Sequence, residues 1–119
     1  MNSAMIIGTG AYVPDEVITN AYLEGLVDTS DEWIKTRTGI SERRRAASDA
    51  AVSDLALPAS MQALEAANVA PEELDLIVVA TITPDTYCPS AACWLQSRLG
   101  AKRAFAFDVN AACSGFVYG

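Results

Sequence analysis

The chain has 119 residues, 51% of them hydrophobic, and a formal net charge of −7 with no histidine. Its hydrophobic content is enough to build a core, which argues against a disordered protein. The excess of acidic residues argues against general nucleic-acid binding, because that binding depends on Lys and Arg at the phosphates.

The sequence shows no membrane span and no export signal. No uninterrupted apolar run exceeds that of Leu76 to Ala80, whereas a helix needs ~20 residues to cross a bilayer. Three cysteines, Cys88, Cys93 and Cys113, form no C-x-x-C pair. This pattern favours reduced thiols in the cytoplasm and, without histidine, argues against a zinc site.

The first predicted element is a short strand within Met5 to Pro14, broken by glycines and ended by the proline. A dinucleotide-binding G-x-G-x-x-G loop is an alternative, but position 13 is Val13 and not glycine. We therefore expect a strand without a nucleotide loop.

Residues 19–47 are polar and lack a long apolar period, so they are predicted to form a helical insertion over the core. Thr29 and Glu32 fit a capping box, and the helix that follows should end near Gly39. Trp33 and Arg37 lie four residues apart on one face of that helix. The pair forms either a surface cation–π contact or a binding site for a flat heteroaromatic ring.

Charged residues on both sides of that helix have simpler interpretations than a ligand site. We interpret Asp28, Asp31 and Glu32 as first-turn carboxylates that complement the helix dipole, in preference to a metal site. The basic run Arg43 to Arg45 is interpreted as a solvated loop, with a local phosphate-binding patch as the alternative.

The rest of the chain alternates between helices and strands. A helix should run from near Ser53 to about Asn68, and Pro58 either kinks it or marks the start of its regular part. Further predicted elements are a strand at residues 75–81 that is buried on both faces, a helix at 89–99 with Pro89 at its first position and Gly100 just past its end, and a strand at 104–109. Ala91, Leu95 and Leu99 are expected to form the buried face of that helix. This order predicts βαβ units and a mostly parallel sheet.

Cys113 is the candidate nucleophile. It follows the last strand within a run of small residues, where the backbone can turn sharply into a helix. The unpaired N–H groups at the start of such a helix favour a thiolate. A nucleophilic cysteine usually needs a neighbouring base or acid, and the chain has no histidine. We therefore expect the 119 residues to be the front part of a longer protein.

Four segments resemble the N-terminal part of β-ketoacyl-acyl carrier protein synthase III in order and spacing. They are residues 8–14, residues 28–34 with 37–40, residues 89–93 and residues 108–116. The resemblance implies an α/β, thiolase-like fold: a mixed, mostly parallel sheet with helices on both faces. Residues 1–119 would be an incomplete N-terminal half with an insertion at about 19–47, and the C-terminal half would be absent.

The resemblance also implies an activity, a decarboxylative condensation that starts fatty-acid synthesis. Cys113 would take an acyl group from acyl-CoA as a thioester, and malonyl-acyl carrier protein would then decarboxylate and attack it. The His and Asn that serve this second step lie beyond Gly119 in the family. A cytoplasmic homodimer without a permanently bound cofactor or metal is expected, and the 119-residue piece alone is expected to be inactive.

Further site residues follow from the resemblance alone. Trp33 and Arg37 match the pair that holds the adenine of coenzyme A, and Thr29 matches a neighbouring adenine contact. Cys88 stands where many members carry a bulky aromatic side chain that reaches across the dimer and limits the acyl pocket of the partner subunit, which implies a larger pocket here. The alternatives are a relative with a different acceptor, such as a quinolone or polyketide condensing enzyme, and, for the isolated piece, an inert fragment.

Overall fold

A computed structural model describes residues 3–119 as two compact units. One unit is Val13–Asp49, and the other combines the segment up to Tyr12 with Ala50–Gly119.

The smaller unit contains two strands and two helices. Its elements are β1 (Glu16–Thr19), α1 (Asn20–Glu24), α2 (Asp31–Thr38) and β2 (Glu42–Arg45). Strands β1 and β2 are antiparallel, with Glu16 opposite Arg45. Ile18 and Ile34 are the buried apolar side chains of the unit. The segment 19–47, predicted as helical, therefore also contributes strand β2 to a two-stranded sheet.

The start of α2 differs from the expected capping box. Ser30, and not Thr29, caps the helix, because its extended backbone lets its side chain accept a hydrogen bond from the Trp33 N–H at 3.1 Å. The helix is followed by Gly39 at φ 73°, a left-handed conformation that glycine adopts without strain. The predicted end of the helix is thus confirmed, and the predicted cap is wrong by one residue.

The basic run lies in strand β2 and not in a loop. Arg43 donates to the Asn20 side chain at 2.8 Å, and Arg45 pairs with Glu16 across the two strands. The Glu16 carboxylate raises the pKa of Arg45, and this arginine in turn lowers the pKa of Glu16. The guanidinium groups of Arg43 and Arg45 thus bind residues of their own unit.

The larger unit is built around one strand–helix–strand arrangement. Its elements are α3 (Val52–Ala67), β3 (Leu76–Ala80), α4 (Ala91–Leu99), β4 (Phe105–Val109) and α5 (Gly115–Tyr118), with 3₁₀ turns at Pro71–Glu73 and Ala112–Ser114. Strands β3 and β4 are parallel, with Leu76 opposite Phe105 and Ala80 opposite Val109. The two strands and the helix between them confirm the predicted βαβ unit.

The core of this unit lies between α4 and the parallel pair. Its buried residues are Ile77, Ala92, Leu95, Ala101 and Ala104, and α3 packs against them through Ala56 and Leu57. Strand β3 is not buried on both faces as expected, because Ile77 is buried while Leu76 is 51% exposed.

The glycine-containing segment before Val13 forms no strand, contrary to the expectation. It packs along α3 instead: a Cβ on Gly8 would overlap the carbonyl oxygen of Ala63, and one on Gly10 would overlap that of Ala59. The Ala11 N–H donates to the Gln62 side chain at 3.3 Å. Glycine is needed here because the two backbones approach too closely for a side chain.

Helix α3 begins before Ser53, which was the expected cap. Its N-cap is Ala51, whose N–H donates to the Asp54 carboxylate at 2.8 Å. That hydrogen bond and a second one from Arg98 lower the pKa of Asp54. The helix continues through Pro58, so its regular part does not begin at the proline.

Helix α4 begins one residue after Ser90, and Pro89 lies outside it. The Ser90 hydroxyl accepts a hydrogen bond from the Cys93 N–H at 3.3 Å, which makes the serine the cap. Gly100 follows the helix at φ 75°, as its position in the sequence predicts. The buried face expected for this helix includes Ala91 and Leu95.

Gly10→Ala should destabilise the complete protein by about 1–3 kcal/mol, the usual cost of forcing an extra methyl group into a packed contact. The matched control is Gly25→Ala, because its Cβ would lie 3.4 Å from the Tyr22 carbonyl oxygen, an ordinary contact. Denaturant unfolding of both variants measures the difference. Equal stability of the two would contradict the packing of this segment on α3.

Candidate functional site

Cys113 lies just after the carboxyl end of β4. The strand ends at Val109, and the cysteine is the middle residue of the 3₁₀ turn Ala112–Ser114, which leads into α5. Cys113 is an exposed residue. Ligands of open α/β sheets bind outside the carboxyl ends of the strands, which is where this thiol is placed.

The backbone changes direction immediately before the cysteine. Ala112 has φ 43°, a left-handed conformation that costs a residue with a Cβ about 1–2 kcal/mol. The turn is held by a hydrogen bond from the Ser114 N–H to the Ala111 carbonyl oxygen at 3.0 Å. Strained backbone of this kind persists where surrounding structure fixes it.

Gly115 provides that surrounding contact. It is buried, and a Cβ at this position would lie 2.8 Å from the Ala80 Cβ at the end of β3. The first residue of α5 therefore sits directly against the neighbouring strand. The small residues around Cys113 thus allow a tight turn, as the sequence predicts.

The other two cysteines differ in exposure. Cys88 is exposed in the connection between β3 and α4, whereas Cys93 is half-buried within α4. The Cys93 Sγ lies 3.2 Å from the Ser90 hydroxyl oxygen and 3.8 Å from the Ala106 carbonyl oxygen. Cys93 is therefore a packed helix residue, and Cys113 and Cys88 are the accessible thiols.

The connection that carries Cys88 is fixed by side-chain hydrogen bonds. The Asp85 carboxylate accepts from the backbone N–H of Ser53 at 3.0 Å and also from the hydroxyl of that buried serine. One residue further along, the Thr86 hydroxyl accepts from the Trp94 indole N–H at 3.0 Å. These contacts hold the segment that precedes Cys88 against α3 and α4.

Trp33 and Arg37 lie together on α2, and Thr29 lines a cleft beside the same indole. The Arg37 guanidinium carbon lies 6.0 Å from the centre of the Trp33 ring, and Trp33 is 57% exposed. Two open clefts of about 320 Å³ each flank the indole; one is lined by Ser30, Glu32, Thr36 and Arg37, and the other by Asp28, Thr29 and Ser30. A flat ring therefore has access to the indole.

A buried asparagine that sequence reasoning missed anchors this helix. Asn20 is 1% exposed and donates to the Asp31 carboxylate and to the Ile40 carbonyl oxygen, each at 2.8 Å. Hydrogen bonds from Lys35 and Asn20 lower the pKa of Asp31. The stabilisation from these bonds is therefore present above the usual carboxyl pKa and is lost as the pH falls through the lowered value.

Two observations concern metals and membranes. Among residues 3–119, no group of three or more His, Cys, Asp or Glu side chains could hold a metal ion. Within that same range, the helices fall short of the length and apolar character needed to cross a membrane.

Comparison with known proteins decides the family. The chain is 61% identical over 120 residues to the β-ketoacyl-[acyl-carrier-protein] synthase III of Alkalilimnicola ehrlichii, and the match covers the whole chain and 37% of that relative. It is 63% identical over 115 residues to the synthase III of Xylella fastidiosa strain Temecula1, with 97% of the chain and 36% of the relative covered. A scan against protein-family models found no match.

The chain belongs to the β-ketoacyl-acyl carrier protein synthase III family. It corresponds to the N-terminal part of these proteins and spans little more than a third of their length. The family inferred from the sequence is thereby confirmed.

Solved structures give the same result for the fold. The synthase III of Aquifex aeolicus VF5 superimposes with a TM-score of 0.91 at 57% identity, over 95% of this chain and 36% of that one. A priming β-ketosynthase from the R1128 polyketide pathway also reaches 0.91, at 40% identity, over 95% of this chain and 34% of its own. The chain therefore has the α/β, thiolase-like fold that the sequence predicted.

Proposed function

We propose that the complete protein containing this chain is an acyltransferase that condenses an acyl-CoA with malonyl-acyl carrier protein and so starts fatty-acid synthesis. One observation carries the proposal: an exposed cysteine at the carboxyl end of β4, within a chain 61% identical to a protein named for this reaction. Cytoplasmic location and a homodimer are proposed from the resemblance alone.

The proposed first step is acyl transfer to Cys113. The thiolate attacks the acyl-CoA carbonyl carbon, the bond between that carbon and the coenzyme A sulfur breaks, and coenzyme A leaves as a thiolate that takes a proton from the solvent. The N–H of Cys113 is proposed to stabilise the oxyanion, where one preorganised donor contributes on the order of 3 kcal/mol. The exposed thiol in a fixed turn supports this role.

The proposed second step forms the new carbon–carbon bond. Malonyl-acyl carrier protein loses carbon dioxide, and the resulting enolate attacks the carbonyl carbon of the Cys113 thioester. The bond to the Cys113 sulfur breaks, which releases β-ketoacyl-acyl carrier protein and regenerates the thiolate. The resemblance assigns a His and an Asn to this step, and the 119 residues contain no histidine. The isolated chain is therefore proposed to be inactive in condensation.

The Trp33–Arg37 pair is proposed to bind the adenine of coenzyme A. The 6.0 Å contact leaves the indole exposed to flat ligands, and Thr29 lines the cleft on one side of it. A base stacked on an aromatic side chain gains about 1–3 kcal/mol. The guanidinium of Arg37 carries a positive charge, which suits the anionic nucleotide.

A second candidate is a condensing enzyme of the same fold with another acceptor. The R1128 priming β-ketosynthase, at 40% identity, and a tetronic acid condensing enzyme, at 30%, favour this candidate. The higher identities to proteins named synthase III favour the first. Product formation with malonyl-acyl carrier protein distinguishes the two.

Incubating the complete protein with acyl-CoA should add one acyl group to Cys113, and malonyl-acyl carrier protein should then remove it. Mass spectrometry of the peptide that contains Cys113 measures both steps. Cys113→Ala should abolish the adduct because the nucleophile is gone, whereas Cys93→Ala should retain it. An adduct on Cys88 with none on Cys113 would contradict the proposal.

Trp33→Ala should raise the KM for acyl-CoA about tenfold and leave kcat nearly unchanged, because the adenine is held equally in the ground and transition states. Arg37→Ala should have a smaller effect in the same direction. Lys35→Ala is the control, since it lies on the same helix and loses an exposed ion pair with Asp31. A kcat loss without a KM change would contradict adenine binding.

Cys88→Phe should shift the preference of the complete protein toward shorter acyl-CoA substrates, because a bulky side chain at this exposed position would fill the proposed acyl pocket of the partner subunit. Initial rates with a series of acyl-CoA chain lengths measure the preference. Cys88→Ala keeps the small volume and should retain the original profile. Identical profiles for the wild type and both variants would contradict the proposal that Cys88 lines the pocket.

A further inference from the structure

The turn that follows β4 begins and ends beside the carboxyl end of β3. At its start, Val109 is paired with Ala80 in the sheet, and its carbonyl oxygen accepts a hydrogen bond from the Thr81 N–H at 3.2 Å. At its end, Gly115 lies against Ala80, because a Cβ on this glycine would be 2.8 Å from the alanine Cβ. Residues 110–114 therefore have to close a loop whose two ends are held at one place on the neighbouring strand.

One residue of this loop has a left-handed backbone. Ala112 has φ 43°, whereas Ala111 before it has φ −135°. A right-handed value at Ala112 would need a rotation of roughly 100° about its N–Cα bond, which would displace Cys113 and all that follows. The contact of Gly115 with β3 would then be lost. The left-handed conformation is therefore what closes the loop.

The side chain of Ala112 does not impose this conformation. Ala112 is exposed in the part of the chain that the structure describes, so no packing of its methyl group fixes the backbone. Glycine and asparagine adopt left-handed values more readily than alanine does. Strained backbone persists where surrounding structure fixes it, and it is concentrated at active sites. Here the strained residue directly precedes the candidate nucleophile.

We propose that Ala112 is a positioning residue whose left-handed backbone, and not its methyl group, orients Cys113 for attack on the acyl-CoA carbonyl carbon. This inference rests on the proposed function. Acyl transfer requires the thiolate to approach the carbonyl carbon within a narrow range of distance and direction, and a misplacement of about 1 Å can lower the rate on the order of a hundredfold. A small alkylating reagent that is free to approach the thiol from any side does not have this requirement.

Ala112→Asn and Ala112→Val in the complete protein test the proposal. The two new side chains are similar in size, but asparagine tolerates the left-handed conformation and the β-branched valine does not. Ala112→Val should lower the rate of Cys113 acylation at saturating acyl-CoA at least about tenfold, whereas Ala112→Asn should stay within about threefold of the wild type. The acyl-CoA concentration for half-maximal acylation should change less than about twofold in both variants, because binding is kept and only the reacting geometry is altered.

Two controls separate orientation of the thiol from loss of structure. Ser114→Thr introduces a β-branched side chain on the other side of Cys113, at a right-handed φ of −74°, and should keep acylation within about threefold of the wild type. Alkylation of Cys113 by iodoacetamide should also stay within about threefold in every variant, because the thiol remains exposed.

The outcomes are distinct. If Ala112→Val acylates at the wild-type rate, if Ala112→Asn loses as much activity as Ala112→Val, or if alkylation falls together with acylation, the positioning role is wrong. If Ala112→Val does not fold, Ala112→Asn decides. Retained acylation with a higher midpoint of denaturant unfolding then supports the proposal, because the strain is relieved and the conformation is kept; failure of either overturns it. Wild-type protein that forms no acyl-Cys113 overturns the proposed function instead.

Discussion

The close approach of α4 to the parallel pair β3–β4 is the constraint on which the larger unit depends. Ala91 and Ala92 of α4 are each 0% exposed, and side chains this small let the helix lie directly on the strands. Asp108 binds the start of α4, and Gln96 donates to the Ala104 carbonyl oxygen at 2.7 Å near its end. One end of the helix is thus fixed to β4, and the other to the residue just before β4.

Local signals predicted the elements of this unit better than their boundaries. The apolar run of β3 predicted a strand, and the glycine after α4 predicted the end of a helix. The structure contains both. The helix starts were wrong by one or two residues because the position of a cap also depends on contacts with distant parts of the chain. Ser53, for example, was a suitable cap in the sequence, but its hydroxyl is bound to Asp85, a residue distant along the chain.

The predicted first strand failed for a related reason. Residues 5–14 are apolar enough for a strand, but a strand exists only where a partner supplies hydrogen bonds. Gly8 and Gly10 bring this segment against α3, a contact that the local pattern does not encode. Trp33, Arg37 and Cys113 could be proposed as site residues from the sequence because their spacing or setting is local. Asn20 and Asp108 were missed because their hydrogen bonds join distant parts of the chain.

The turn at Cys113 shows how packing can maintain a strained backbone. Ala112 in its left-handed conformation costs about 1–2 kcal/mol relative to a relaxed residue. A glycine there would remove this strain but would also let the turn adopt other conformations. Because Gly115 sits against Ala80 without room for a side chain, the end of β3 determines where the turn goes. Two strands therefore fix the turn that carries Cys113: β4, because the chain continues from it into the turn, and β3, through the close contact between Ala80 and Gly115.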